Sequence, residues 1–383
     1  MSIGKNSILA FVRNVYGRLE RPISSLSLIG GFVFDALTLR RVDVLWDNFW
    51  VAGHLAVVTV CVIWINLLND AADENGLRPE ADPHRLQFWL VNVMQFFFGG
   101  LLSVYLVFYF RSGTIWTSWP FLSMLALAFI ANESLKRRYA RLSFQIALLF
   151  LALYAFAIYV MPMLLHRIGS RVFLISGGVS VAAIAVVLLI LLVFSRKRFR
   201  GRSGRATLAS IAGILAIVNG LYFLNLIPAL PLSLKQANIY HSLTVNGPGN
   251  YTVTSEHQTT SGFASIGFIR RFFSLRQTVH IKPGDSLTFY SAVFCPTQLT
   301  TKIVHEWQHY DPARGEWVTP DRIPLPVVGG RGGGYRTFSV VSAITAGLWR
   351  VDVETPGGQA IGRFNFRVVV QNSDPPLQKE TIH

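Results

Sequence analysis

The stretch SRKRFRGRSGR, Ser195 to Arg205, sets six cations and no anion between two long apolar runs. Positive charge beside a hydrocarbon-length helix is retained on the cytoplasmic side of a bilayer, so this stretch fixes one point of a membrane topology. Working outward, runs of the roughly 20 apolar residues that cross about 30 Å of hydrocarbon occur at 49–68, 86–110, 114–132, 142–165, 172–194 and 206–230. A shorter run, 22–39, contains Asp35 and several serines. Loop charge decides whether it spans. With six spans the loop Lys and Arg divide 12 against 9; with seven they divide 16 against 5. The larger share then comes from 1–21, 69–85, 133–141 and 195–205, the smaller from Arg40, Arg41, Arg111, Arg167 and Arg171. The sequence therefore predicts about seven transmembrane helices within 22–231, with the amino terminus cytoplasmic and everything after residue 231 on the far side.

Composition agrees: 51% of residues are hydrophobic and only 14% charged. The net charge of +15 does not indicate nucleic acid, because the excess sits in short loops between spans, where it orients helices and attracts anionic headgroups. The bilayer is the partner it implies. Residues 1–21 space Lys5, Arg13, Arg18 and Arg21 among Ile8, Leu9, Phe11, Val12 and Tyr16, the pattern of an amphipathic helix on the inner surface or of a solvated lead-in. Cys61 lies in a span and Cys295 in the soluble part, so the two make neither a disulfide framework nor a metal site.

Polar residues in or beside spans are costly in hydrocarbon and are functional candidates. Asp35, Arg40, Arg41, Asp43, Asp47 and His54 form such a group at the outer membrane face; local pairing of Asp35 with Arg40 or Arg41, with helix capping by Asp47 or Asn48, is the simpler account of it. Asn92 and Gln95, one turn apart, read as hydrogen-bonding glue between helices.

After Pro228 and Pro231 the pattern changes. Residues 232–370 alternate strand-like runs (SLTFYSAVF, TTKIVHEWQHY, YRTFSVV, GLWRVDVET, AIGRFNFRVVV) with turn signals (NGPGN, KPGD, DPARGE, GGRGGG, TPGG), which predicts an all-β sandwich-like soluble domain. In GLWRVDVET, Trp349, Val351 and Val353 share one face and Arg350, Asp352 and Glu354 the other, as in a sheet with one dry and one wet side. SGFASIGFIRRFFSLR, 261–276, reads as a membrane-surface or covering segment. The end, 371–383, is expected to be a disordered tail.

The succession HEW at 305–307, GGYRTFS at 333–339, GLWRVDV at 347–353 and GRFNFRV at 362–368 resembles a small domain of unknown function, number 2914, of bacterial membrane proteins. FVFDALTLRRVDVLWDNF, 32–49, is similar to the entry of the helical block that often precedes that domain. The resemblance implies a bacterial membrane protein with a helical block before this domain and brings no activity with it; with the loop charges, the expected location is the bacterial inner membrane with a periplasmic β domain. The RGGG before Tyr335 makes that loop longer and richer in glycine than the resemblance leads one to expect.

HEWQH, His305–His309, spells the zincin pattern, but that pattern holds zinc only on a helix. Its flanks read as strand, where the two histidines stand about 13 Å apart, so no metal is expected. His305, Trp307, Trp317, Tyr335 and Arg336 are the candidate binding residues, an aromatic platform for sugar rings or a peptide; packing in the sandwich core is the competing account. Gly329–Gly334 has no Walker lysine and reads as a mobile hairpin tip. With no catalytic constellation and no cofactor signature, the sequence predicts a periplasmic binding or scaffolding module with an envelope protein or glycan as ligand. The alternative is a transporter or membrane-embedded enzyme acting on a lipid-linked or small polar substrate through the Asp35–His54 group.

Overall fold

The computed structural model describes residues 30, 32–37, 44–74, 83–112, 115–134, 139, 141–194, 202–247, 249–256, 277–297, 299–373 and 375–382. The amphipathic 1–21, Arg40, Arg41, Asp43, most of the cation cluster and SGFASIGFIRRFFSLR lie outside the described residues. Helical residues 32–37 precede α1 (Leu45–Glu74), α2 (Pro83–Ser112), α3 (Ile115–Ser134), α4 (Leu142–Leu165), α5 (Ser170–Phe194) and α6 (Arg202–Phe223). All of these except α3 and the short first segment are long and apolar enough to cross a membrane.

The helices divide their faces as the bilayer demands. On α1, Val51, Leu55, Val58, Val62 and Ile65 form one buried stripe at alternating spacings of four and three, the seam of left-handed helix packing. Trp46, Phe49 and Trp50 near its start, with Trp119 in α3, are exposed. Phe88 and Trp89 near the start of α2 are exposed as well, the placement of interfacial aromatic belts.

Helix α6 stops at Phe223, seven residues short of the run read from hydropathy. Leu226 N–H bonds Leu221 C=O at 2.8 Å and Asn225 N–H bonds Tyr222 C=O at 2.9 Å, with Asn225 at φ 57°. This pair of bonds around a left-handed residue is a Schellman cap. Pro228 then removes a donor that a continuing helix needs.

Eleven strands follow among the described residues: β1 (Ser233–Tyr240), β2 (Ser242–Gly247), β3 (Asn250–Glu256), β4 (Gln277–Ile281), β5 (Leu287–Phe294), β6 (Thr300–Asp311), β7 (Glu316–Val328), β8 (Tyr335–Val341), β9 (Gly347–Glu354), β10 (Ala360–Val370) and β11 (Leu377–Ile382). They form sheets ordered β1-β5-β8, β4-β10-β9-β6-β7 and β11-β3-β2. The first two enclose the main core, with Leu287, Phe289 and Val293 of β5 meeting Trp307, Trp349, Val351, Val353 and Phe366. Tyr290 and Ala292, the alternate residues of β5, join Tyr240 and Val253 in a second core against the third sheet.

The β region is thus a sandwich with a third sheet behind it. Every residue of β5 is buried, which is why SLTFYSAVF reads as a continuous apolar run and not as an alternation. The tail expected to be disordered instead supplies β11, paired from Leu377↔Glu256 to Ile382↔Tyr251. Its polar composition forbids a core of its own, but β3 offers a free row of backbone partners and Ile382 packs on the second core.

The chain divides into two compact units. One holds the greater part of the helices. The other joins 220–383 with 109–121 and 159–173, the turns between α2 and α3 and between α4 and α5. Within this second unit Ile168 packs on the main core, and Asn225 at the end of α6 meets the β9–β10 turn at Gly358.

Candidate functional site

The five residues expected to form one platform are distributed over three surfaces. His305 and Trp307 point from β6 into the main core and are fully buried. His305 Nε2 lies 2.8 Å from Ser291 Oγ, and Ser291 in turn 2.9 Å from Thr337 Oγ1. His305 Nδ1 lies 2.8 Å from Ser339 Oγ, which also accepts from Trp307 Nε1 at 3.0 Å. Burial pushes the imidazole down to about 3, so it is neutral, with both nitrogens held by hydroxyls. Ser291 and His305 have the spacing of a nucleophile and its base, yet both are sealed from solvent. They satisfy polar groups within a core. HEWQH is a strand, and Glu306 faces away from both of its histidines, as the flanking residues predict.

Tyr335 leans on the edge of that same core with the Arg331 guanidinium 5.6 Å from its ring. Arg336 points to the opposite side of its sheet, donating to Gly249 C=O at 2.7 Å and lying 5.9 Å from the Tyr251 ring. Trp317 alone of the five lies on the outer face of the five-stranded sheet, where the Arg350 guanidinium sits 4.3 Å over its ring and Tyr310 is 5.4 Å away.

That outer face carries a lattice of charge. Register sets Glu306 opposite Arg322 on β7 and Asp352 on β9, and Asp352 opposite Arg363 on β10. Arg363 holds Asp352 by two hydrogen bonds of 2.6 and 2.7 Å. Arg322 reaches Glu354, and Glu306 at 3.7 Å. Thr319 Oγ1 donates to Glu306 at 3.2 Å and accepts from Gln308 at 3.2 Å. Gln308 Oε1 accepts from Arg350 Nε. Burial and the neighbouring Glu306 raise the Glu354 carboxyl, against the pull of Arg322. Burial and the nearby Arg363 lower Arg350. Burial also opposes the Arg363 charge, but Asp352 outweighs it and the guanidinium is raised. Asp352 and Glu354 are buried within this lattice, and desolvated, mutually perturbed charges of this kind make it a candidate functional surface.

Both edges of this sheet are closed to added strands. Edge strand β7 carries Pro320, Pro324 and Pro326, which cannot donate to a new ladder. At β4, Glu256 of β3 accepts from His280 N–H at 2.6 Å and lies 2.8 Å from His280 Nδ1 and 3.0 Å from His241 Nε2. Burial works against that carboxylate, but its hydrogen bonds to His280 and His241 hold it below the usual carboxyl range. The glycine loop is pinned too. Gly329 N–H bonds Leu299 C=O at 2.9 Å, and a Cβ on Gly329 would overlap the Pro296 carbonyl. Close backbone packing, not mobility, is what calls for glycine there.

In the helical unit, Asp35 accepts from Ser103 Oγ at 2.5 Å and interacts electrostatically with His54. His54 Nδ1 lies 2.9 Å from Trp50 C=O and its ring packs against Gly100 and Phe97. A carbonyl only accepts, so Nδ1 is the donor in that bond. Asp47 stands in the first turn of α1, where the helix dipole favours an anion; Arg40, Arg41 and Asp43 lie outside the described residues.

Sequence reading missed a second polar chain in this unit. Asn66 donates to Gln145 at 2.7 Å, Gln145 to Tyr139 C=O, and the Tyr139 hydroxyl to Asn132. Asn132 and Gln95 then exchange amide-to-carbonyl bonds of 3.1 and 3.0 Å. Single Asn and Gln residues in four separate stretches were its only signal. Of the pair read as interhelical glue, Gln95 serves so, while Asn92 bonds Phe88 C=O of its own helix at 2.8 Å.

The family model described as "Protein of unknown function (DUF2914)" matches residues 300–368. This is the run from β6 into β10 that bears every residue of the charged lattice. No curated protein matches the chain. Among solved structures, the beta-glucosidase from Listeria innocua in complex with gluconolactone is 13% identical over 24% of this chain and 15% of that one, with a TM-score of 0.18. The alkylpurine DNA glycosylase AlkC of Pseudomonas fluorescens, bound to DNA containing an abasic site analog, is 10% identical over 83% of this chain and 98% of that one, with a TM-score of 0.21. Scores this low carry no argument.

Proposed function

We propose that this protein is a non-enzymatic integral protein of the bacterial inner membrane that displays its β region in the periplasm as a binding or scaffolding module. The outer face of the five-stranded sheet is the surface it presents. One observation carries the reading: on that face Glu306, Arg322, Arg350, Asp352, Glu354 and Arg363 are arranged with Trp317, Gln308 and Thr319 as neighbours, while both edges of the sheet are blocked. Desolvated, mutually perturbed charges of this kind are candidates for a recognition surface, which supports the reading. The loop-charge asymmetry supports the periplasmic placement. The Ser291–His305 pair, closed off in the core, supports a module without chemistry.

The test uses the full-length protein in mild detergent, sedimented with isolated cell-wall sacculi and envelope polysaccharide. Co-sedimentation that is lost when Arg322 and Arg350 are both changed to Gln is expected. Failure to associate with any envelope material, or association indifferent to those changes, contradicts the reading.

A second reading, transport or catalysis at the outer membrane face, draws on the Asp35–Ser103 bond and the adjacent His54. Normal function with Asp35→Asn and His54→Phe at unchanged protein levels removes it.

A further inference from the structure

Three of the charges on the outer face are anions, and each has its cation. Asp352 is held by Arg363, while Glu306 and Glu354 share Arg322. Arg350 differs. Among the described residues no carboxylate lies within the 4.0 Å of an ion pair from it; its Nε bonds the neutral Gln308 and its plane lies over Trp317. It is half-buried, opposite Asn365 on β10, with Arg367 two residues further along that strand. A guanidinium stacked on an indole and anchored through Nε is pre-organised, with its two terminal nitrogens free to grip a planar oxyanion side by side.

The location narrows the ligand. The β9–β10 turn meets the end of α6 at Asn225. Arg350 lies five residues up β9 from that turn, about 16 Å further along the strand. The blocked edges exclude a peptide that adds as a strand. The outer face sets the side-chain amides and hydroxyl of Gln308, Asn365 and Thr319 beside the Trp317–Tyr310 aromatic corner, a surface suited to the hydroxyls and amides of sugars. Resting on the reading of the β region as a binding module, we propose that Arg350 and Trp317 form the seat for the carboxylate of an acidic sugar in an envelope glycan, with Gln308 and Asn365 contacting the sugar ring beside it.

The experiment labels the full-length protein in detergent with 5-fluorotryptophan and follows the 19F signal of Trp317, assigned by its loss in Trp317→Phe. N-acetylmuramic acid is titrated against N-acetylglucosamine, which lacks the lactyl carboxylate. The acidic sugar is expected to shift the Trp317 signal and the neutral sugar to be at least tenfold weaker, since a charge-assisted pair contributes about that much. Arg350→Gln and Arg350→Lys should both abolish the difference, the lysine because it keeps charge but loses the fork. Unmoved core signals from Trp307 and Trp349 establish that each variant is folded. Equal shifts by the two sugars, a response that survives Arg350→Gln, or a response confined to a free alanyl-glutamate peptide overturns the proposal. If sacculi bind while Trp317 stays silent to both sugars, the carboxylate seat falls and the binding module stands.

Discussion

The Ser339 hydroxyl on β8 lies 2.8 Å from His305 Nδ1 on β6, and the same oxygen takes the Trp307 indole proton at 3.0 Å. One small side chain therefore satisfies two large buried groups, and ties the two sheets together across the main core. Ser339→Ala strips the Trp307 indole N–H and the His305 Nδ1 of this partner, while Ser291 still holds His305 Nε2. A buried donor or acceptor stripped of its bond costs about 1–3 kcal/mol, so a loss of about 2–4 kcal/mol is expected in urea unfolding of the purified protein followed by tryptophan fluorescence. Ser242→Ala, at an exposed hydroxyl of β2, should be nearly silent.

The same network sets an acid limit. His305 is held at about 3 in the fold, against 6.5 for an ordinary histidine. Below pH 6.5 the unfolded chain takes the proton first, so its stabilising effect is complete above that pH and is lost as pH falls towards 3. The slope approaches about 1.4 kcal/mol per pH unit. Glu256, held below the usual carboxyl range, adds a further loss in the same direction at lower pH. Stability measured from pH 7 to 4 should fall in the native protein and fall less steeply in His305→Gln; equal slopes would remove His305 as the cause.

Two glycines of one loop should behave oppositely. A Cβ at Gly329 overlaps backbone at Pro296 and Leu299, whereas at Gly333 nothing lies within 4 Å. Gly329→Ala is expected to lower stability by more than about 2 kcal/mol, as overpacking against rigid backbone does. Gly333→Ala should change it by less than about 0.5 kcal/mol. Comparable small effects would mean that the loop is free of the β5–β6 backbone.

On the outer face, Arg363 and Asp352 are mostly shielded from solvent, with side chains 19% and 8% exposed. Removing one leaves the other desolvated and unpaired, so Arg363→Leu should destabilise by about 1–3 kcal/mol. The double change with Asp352→Leu should recover much of that loss. Additive losses in the double-mutant cycle would show that the two charges are independent.

Much of this architecture is legible in the residues because single physical rules dominate. The apolar runs and loop cations announce the helices, and the alternation in GLWRVDVET separates the inward Trp349, Val351 and Val353 from the outward Arg350, Asp352 and Glu354. Rules that need a partner from far along the chain are not legible. The third sheet depends on β11 finding β3, and QKETI read alone is only a polar tail. Aromatic type suggested one platform, but strand parity sends His305 and Trp307 inward, Trp317 outward, and Arg336 to the opposite side of another sheet. Asp35 accepts from Ser103, a residue far along the chain with no local signal, while Arg40 and Arg41 lie outside the described residues.

The account depends most on the β region facing away from the cytoplasm, and one labelling measurement addresses that directly. Ala313, exposed in the β6–β7 turn, is changed to Cys; the native Cys61 and Cys295 are both buried and give little background. Spheroplasts are treated with a membrane-impermeant maleimide. Full labelling of the Cys at 313 before lysis is the predicted result, and labelling only after the membrane is opened would contradict it.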